Sequence, residues 1–336
     1  MYLPDVETPP ADQLILASEL RNRGTAGGRL DAAVRAGTIV RVHRGVYLSG
    51  TPWESLPPDE RYRLRIRAVA ITNPRRLMFC HESAAALHRL PLVTPWPDTV
   101  HVATPEAPGG SSQAAIIAHT RANAGEFVIL DSLVATSLSR TVIGLAAKGP
   151  FSNAVAVVDA ALRRWGDSYR EVLATEFEAA ALRRGLVRAR RAIEFGDGRA
   201  DSAGESLSRA RIHELGFAMP ELQVAFETNG HRYLVDYFWP DANVIGEFDG
   251  RAKYSRDEFT VGSPPEEIVW REKKREDALR AATGARVVRW TWATAMDGSA
   301  LGRLLVAAGV PRIRSEAASS PVAPSAPTRT RSFRAP

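Results

Sequence analysis

Cysteine is almost absent from this chain: Cys80 is the single example in 336 residues. A lone thiol closes no intrachain disulfide, and a zinc site built mainly from cysteines is excluded with it. Long apolar runs are also missing. Ala114-Ala-Ile-Ile-Ala118 falls far short of the ~20 residues that span a bilayer. Met1-Tyr-Leu-Pro-Asp-Val-Glu7 has neither the basic start nor the apolar stretch of a signal peptide. A cytoplasmic protein with no membrane partner is therefore expected. Nor is there an acidic excess. Lysine and arginine number 44 against 38 aspartates and glutamates, a net charge of +6, which points toward an anionic partner, nucleic acid first. The length suits two or three domains.

What is present is most concentrated between Tyr233 and Tyr254, where four carboxylates, one of them in the turn, and a lysine share one candidate hairpin. Asp236 sits late in an apolar strand, Pro240-Asp241-Ala242-Asn243 supplies the turn, and Val244 opens the return strand. A turn centred between Asp241 and Ala242 sets Asp236 directly across from Glu247. The two-residue period puts Asp249 on the face of Glu247. Opposed like charges are destabilising. A cation relieves them, and a hard ion, Mg²⁺ or else Mn²⁺, prefers carboxylate oxygens. Asn229-Gly230 marks a second tight hairpin, which sets Gln223 across from Asp236. Gln223, Asp236 and Glu247 then make one polar row over three strands. Upstream, Ala203–Leu215 reads as an amphipathic helix ending at Gly216, with Glu205 in its first turn. Each residue taken singly has a structural reading too: Glu205 with Arg209 as an i,i+4 surface pair, Asp249-Gly250 as a turn.

The order of glutamate helix, glutamine strand, aspartate strand, Glu-x-Asp strand, basic helix and last strand resembles the PD-(D/E)xK nuclease superfamily, in particular its very-short-patch-repair-like endonucleases. The resemblance covers about residues 201–310. It rests on Glu205, Gln223, Asp236, Glu247, Asp249-Gly250, Lys253, Arg271, Asp277, Leu279, Gly284 and Arg286-Val-Val-Arg-Trp-Thr291. It implies a restriction-endonuclease-like α/β/α domain with a mixed sheet over 200–310. It also implies Mg²⁺ held by Asp236 and Glu247, with a further carboxylate from Glu205 or Asp249, and Gln223 orienting water or lysine. The superfamily's usual lysine position is Asp249 here, so the positive group would come from Lys253.

Residues 11–50 carry a second pattern. Asp12 caps a helix through Leu14, Ile15, Ala17 and Leu20 to Arg23, stopped by Gly24; Thr25 caps a helix to Ala36, stopped by Gly37. Ile39-Val-Arg41 and Val46-Tyr-Leu48 read as short strands joined by His43-Arg44-Gly45. Helix, turn, helix and β-wing is the winged helix-turn-helix plan. Gly37, Ile39, Arg41 and Arg44-Gly45-Val46-Tyr47 resemble the wing of abortive-infection antitoxins of the AbiEi type. In one reading the second helix enters the major groove with Arg29 and Arg35, while Arg41, His43 and Arg44 meet phosphates or the minor groove. In the other, the wing only packs against its neighbour. The resemblance implies promoter binding and a nucleotidyltransferase-like toxin as partner.

Residues 59–195 read as a mostly helical middle domain, with strand-like alternation at 99–103, 114–119 and 126–130 and a helical pattern throughout 131–148. His81-Glu-Ser-Ala-Ala-Ala-Leu87, Ser139-Arg-Thr141 and Ala154–Asp159 loosely resemble the body of the same antitoxins. Cys80-His81-Glu82 invites a nucleophile or metal reading. No third partner has a helpful spacing, so Cys80 reads as a packed thiol and no chemistry is assigned there. Gly196–Gly204 reads as a linker and 255–265 as a polar loop. In the helix over 266–282, Arg271, Lys273, Lys274 and Arg275 either track DNA or form a solvated face with Glu272, Glu276 and Asp277; Arg271 is the expected contact. From Ser315 to Pro336 the composition predicts a disordered tail. The chain thus reads as an α+β multidomain protein. It is a Mg²⁺-dependent endonuclease that binds DNA, a non-enzymatic antitoxin-type repressor, or a structural module that binds no metal.

Overall fold

A computed structural model describes residues 14–22, 27–49, 53–104, 112–113, 115–120, 127–180, 184–228, 230–250, 265–313 and 330–332. Asp12, Thr25, Lys253 and the polar loop at 255–264 lie outside them. Leu14–Leu16 form a strand, β1, where the pattern predicts a helix, and Ala17–Asn22 form α1. The apolar triplet pairs antiparallel with β3, Val46–Ser49, so a long-range partner overrides local helical propensity. Gly27–Arg35 form α2, and β2, Ile39–His43, completes a three-stranded antiparallel sheet in the order β1-β3-β2. Leu14, Val42, Val46 and Leu48 pack with Leu64 and Ala68 of α3, Pro58–Thr72.

The middle region holds a six-stranded mixed sheet, three of whose strands (100–104, 116–120 and 127–130) fall where alternation is expected and three of which do not. In chain order come β4 (Met78–Phe79), α4 (His81–Leu87), β5 (Val100–Thr104), β6 (Ser112–Gln113), β7 (Ile116–Thr120), β8 (Phe127–Leu130) and β9 (Leu133–Thr136). The order across the sheet is β6-β7-β5-β4-β9-β8, with β5 parallel to β7 and β4 parallel to β9. The helix expected over 131–148 is split: its first part is β9, and only Leu138–Lys148 is helical, α5. Strands this short carry too few alternations for period two to outweigh an alanine-rich surrounding. Helices α6 (Phe151–Trp165), α7 (Tyr169–Ala179) and α8 (Leu186–Phe195) follow.

The chain divides into two compact units, Met1–Ala147 with Val172–Gly185, and Lys148–Glu171 with Leu186–Pro336. Helices α6 and α8 therefore belong with the C-terminal strands rather than with a middle domain ending at 195. The expected linker after α8 is a packed segment. A side chain at Gly196 would sit 2.4 Å from Val158, and one at Gly198 would sit 2.9 Å from the α6 backbone. The glycines permit the close approach of chain to helix. The Asp197 amide donates to buried Asp159 at 2.7 Å.

From there run α9 (Ala203–Glu214), β10 (Glu221–Thr228), β11 (His231–Trp239), β12 (Val244–Asp249), α10 (Pro265–Thr283), β13 (Arg286–Thr291), α11 (Trp292–Met296), α12 (Gly298–Ala308) and β14 (Thr330–Ser332). They build a mixed sheet ordered β13-β12-β11-β10-β14, in which β12 is parallel to β13 and β10 to β14. Three residues of the tail expected to be disordered thus form an edge strand, which supplies partners for one side of β10. Tyr237, Trp239 and Trp290 stack on the face of Gly246, while Phe226, Phe238, Ile245 and Val287 pack with Leu279 of α10. The protein is of mixed α/β class with mixed sheets. Among the described residues, no helix is long and apolar enough to cross a membrane.

Candidate functional site

The β11–β12 hairpin pairs Tyr237 with Gly246, Phe238 with Ile245 and Trp239 with Val244, the register expected from the turn. One step further is Asp236 with Glu247, and there the ladder ends. In its place the Phe248 amide donates to Asp236 Oδ2 at 2.7 Å. On the other side, Leu222↔Tyr237 and Val224↔Val235 flank the Gln223–Asp236 step, where the pairing is interrupted. Gln223 has φ +50°, a left-handed conformation that a non-glycine residue adopts at a cost of order 1–3 kcal/mol. Val235 and Phe238 share one core cluster although three positions apart. Strict alternation forbids that, so the strand changes phase at Asp236.

The three carboxylates near this break are buried: Glu205 is 1%, Glu247 7% and Asp236 9% exposed. Glu205 closes a capping box, its amide donating to Ser202 Oγ at 3.2 Å and its Oε1 accepting from the same hydroxyl at 2.8 Å. Its Oε2 accepts from the Asp201 amide at 2.8 Å and from Gln223 Nε2 at 3.0 Å. The surface pair with Arg209 is not formed; Arg209 turns to Asp159 instead. Glu247 Oε1 accepts from Arg275 Nη2 at 3.0 Å, and the same nitrogen donates to the Leu234 carbonyl. Arg275 thus supplies positive charge at the place the sequence pattern assigns to a cation. Tyr237 donates to the Glu205 carbonyl at 2.8 Å. Burial, with Glu205 and Asp236 nearby, holds its phenol well above its ordinary pKa, so it stays a donor. Asp249 is half-buried at the end of β12, where it pairs with Thr291 of β13.

Lys253 lies outside the described residues, and so does the side chain of Arg271. Among the described residues, an arginine that α10 brings to the carboxylates is Arg275, one turn on from Arg271. That spacing is readable in the basic run, but nothing in the sequence ranks one arginine above the other. The strained backbone at Gln223 has no sequence signal at all. Among the described residues, the group of three ligand-type side chains whose donor atoms all lie within 4.8 Å of one another is elsewhere: Cys80, His81 and His119.

In the first unit, Arg29 and Arg35 on α2, Arg41 on β2 and Arg44 in the turn are all exposed, while His43 is half-buried. Arg35 Nε donates to the Asp31 carbonyl at 3.3 Å. Burial lowers the His43 pKa, and Arg41 and Arg65 lower it further. Arg65 of α3 therefore joins the basic group around the wing, a residue the local pattern does not single out.

No family model matches this chain. It is 29% identical over 249 residues to uncharacterized proteins MT2308 and Rv2248 of two Mycobacterium tuberculosis strains, which covers 72% of this chain and 87% of each of them. A solved structure, that of the RV2827C protein from Mycobacterium tuberculosis, superposes with a TM-score of 0.36 and 17% identity over 67% of this chain and 83% of that one.

Proposed function

We propose that this chain binds DNA through an N-terminal winged helix and hydrolyses phosphodiester bonds in its C-terminal unit, on a restriction-endonuclease-like scaffold. One observation carries the reading. Gln223 is held at φ +50° across from Asp236, with its amide on Glu205. A sheet does not place a strained polar residue among buried carboxylates for stability, and such strain collects at functional sites. The donor set suits a hard cation: Asp236 and Glu247, with Asp249 at the strand end, offer oxygens alone. They would hold Mg²⁺, or Mn²⁺ in its place, which when bound lowers the pKa of water and polarises a phosphoryl oxygen. Glu205 is a positioning residue, because both its oxygens are engaged in the capping box and by Gln223. Gln223 would orient water, and Lys253 would stabilise negative charge on the phosphate. The test is Mg²⁺-dependent nicking of supercoiled plasmid by wild type and Asp236→Asn. Loss of nicking in the variant is expected; equal nicking by both would sink the assignment.

A second reading has its own support. With Arg275 already on Glu247, the acidic cluster needs no metal to be stable, and the exposed arginines of the wing suit a repressor similar to AbiEi-type antitoxins, with a nucleotidyltransferase-like toxin as partner. That reading predicts sequence-selective retention of promoter DNA without nicking in Mg²⁺ or Mn²⁺.

A further inference from the structure

The first unit contains a cluster of nitrogen, sulfur and oxygen donors that the nuclease and repressor readings leave unused. Cys80 precedes α4, and His81 is its first residue, with His81 Nδ1 3.1 Å from Cys80 Sγ. His101 on β5 and His119 on β7 reach the same place. The parallel register sets Ala103 beside His119, so His101 and His119 are diagonal neighbours on one face. His101 Nδ1 lies 3.0 Å from His119 Nε2 and 3.2 Å from Glu82 Oε2. The rings of His81 and His119 are 4.2 Å apart, and those of His101 and His119 5.1 Å. The amide of Cys80 donates to the His101 carbonyl at 3.1 Å, which locks the α4 entry onto β5.

We propose that this cluster is a zinc site, with Cys80 Sγ, His81 Nδ1 and His119 Nε2 as ligands and His101 as the fourth donor. Three observations combine. The donor atoms of Cys80, His81 and His119 already lie within 4.8 Å of one another. Tetrahedral bonds of about 2.0–2.3 Å place zinc ligands roughly 3.3–3.7 Å apart, so little movement is required. His81 is held at φ +50°, a strained conformation for a residue with a β-carbon, of the kind found at ligand clamps. Finally, three imidazoles, one thiol and one carboxylate make an expensive neighbour set without a cation. Glu82 Oε2 is buried, and its approach to His101 Nδ1 does not complete a hydrogen bond. Thiolate with imidazole selects a late first-row divalent ion over Mg²⁺ or Ca²⁺. Coordination releases the thiol proton and ties α4 to two strands of the six-stranded sheet.

The sulfur gives a clean assay because no other cysteine exists in the chain. The full chain, prepared without a histidine tag, is dialysed with Zn²⁺ and assayed for bound metal, then loaded with Co²⁺ for absorption spectroscopy. One zinc per chain is expected, and the cobalt form should show a thiolate-to-metal charge-transfer band, which carboxylate sites lack. Cys80→Ser and His119→Ala should lose the band and weaken zinc by more than the ~10–100-fold cost of an outer-shell change. His101→Ala should also weaken zinc, and wild-type affinity there would overturn its place as fourth donor. Absence of stoichiometric zinc in the wild type, or a folded Cys80→Ser with unchanged affinity, would overturn the site. If Cys80→Ser does not fold, chelator treatment of the wild type decides: faster reaction of Cys80 with a thiol reagent supports the site, and an unchanged rate refutes it.

Discussion

Arg209→Met is the sharpest test of the division of the chain. Arg209 Nη2 donates to both oxygens of Asp159 at 2.8 and 3.0 Å, and Nη1 donates to the Phe195 carbonyl at 3.0 Å. The guanidinium also covers the Phe195 ring at 4.3 Å. The Asp159 side chain is fully buried and that of Arg209 is 5% exposed. Methionine keeps much of the stem's volume and removes the charge, so Asp159 loses its cation and keeps the Asp197 amide as a neutral donor. Removing one partner of a buried ion pair costs about 3–5 kcal/mol. In a unit of this size each kcal/mol moves Tm by about 2–4 °C, so a fall of roughly 6–20 °C is expected by calorimetry, with a matching shift in the urea midpoint. Asp159→Leu combined with Arg209→Met should recover most of the loss, because replacing both charges by apolar groups is often neutral or stabilising. An Arg209→Met protein that melts like wild type would refute the packing of α6 against α9. A double variant as unstable as the single would place the cost in lost packing on Phe195 rather than in an orphaned carboxylate.

Gly246→Ala should destabilise by about 1–3 kcal/mol, since its β-carbon would meet Trp290 at 2.7 Å and Trp239 at 2.9 Å; chemical denaturation reads it, and a neutral result would mean the rings can part. His213, whose pKa is lowered first by burial and then by Arg191 and Arg209, binds fewer protons folded than unfolded. Its stability contribution is therefore complete above its ordinary value of 6.5 and declines as pH falls below it, and a wild-type urea midpoint that falls no more steeply there than that of His213→Gln would contradict this. Arg41→Ala with Arg44→Ala should reduce the slope of log K against log salt for duplex DNA by about 1 for each phosphate no longer neutralised; an unchanged slope would remove the wing from the interface. Arg275→Gln should lose stability without metal and gain more Tm than wild type from added Mn²⁺, and equal gains would show that Glu247 is not a ligand.

The β10–β12 hairpins are legible in the sequence because turn chemistry and burial agree there. Thr228↔His231 closes the loop at Gly230, and Trp239↔Val244 closes the next; a slip by one residue would expose Ile245 and Phe238. The wing is legible for the same reason. Leu14–Leu16 is not, since its strand identity depends on β3, far along the chain in an unrelated local pattern. Gly196–Gly204 misleads because glycine marks both flexible chain and close packing, and only Val158 and Leu162 against it decide which. The His81, His101 and His119 cluster is hidden by topology. Two of its members meet through the parallel pairing of β5 and β7, a contact no spacing rule encodes. Charge tells least: Arg271 and Arg275 share a helix face in the sequence, and the contact of Arg275 with Glu247 is visible only in the fold.

Arg275 also bears on why the two functional readings are so close. An acidic pair on neighbouring strands needs a counter-charge, and either an ion or a guanidinium can provide it. A fixed arginine makes the pair stable at any metal concentration, which suits a fold kept as a scaffold. A hydrolase needs the opposite: the arginine must yield Glu247 when the ion arrives, so its hold has to be weak. Here the Arg275 side chain is 24% exposed against 10% for Glu247, and its Nη2 meets Glu247 Oε1 at 3.0 Å. A partly solvated pair gives way more easily than a fully buried one in which the guanidinium reaches both carboxylate oxygens, such as Arg209 with Asp159. The same unit therefore holds a fully buried ion pair where helices must stay together and a partly solvated one where hydrolysis would require a carboxylate to be released. That contrast favours an exchangeable counter-charge at Glu247, and with it the hydrolytic reading over the inert one.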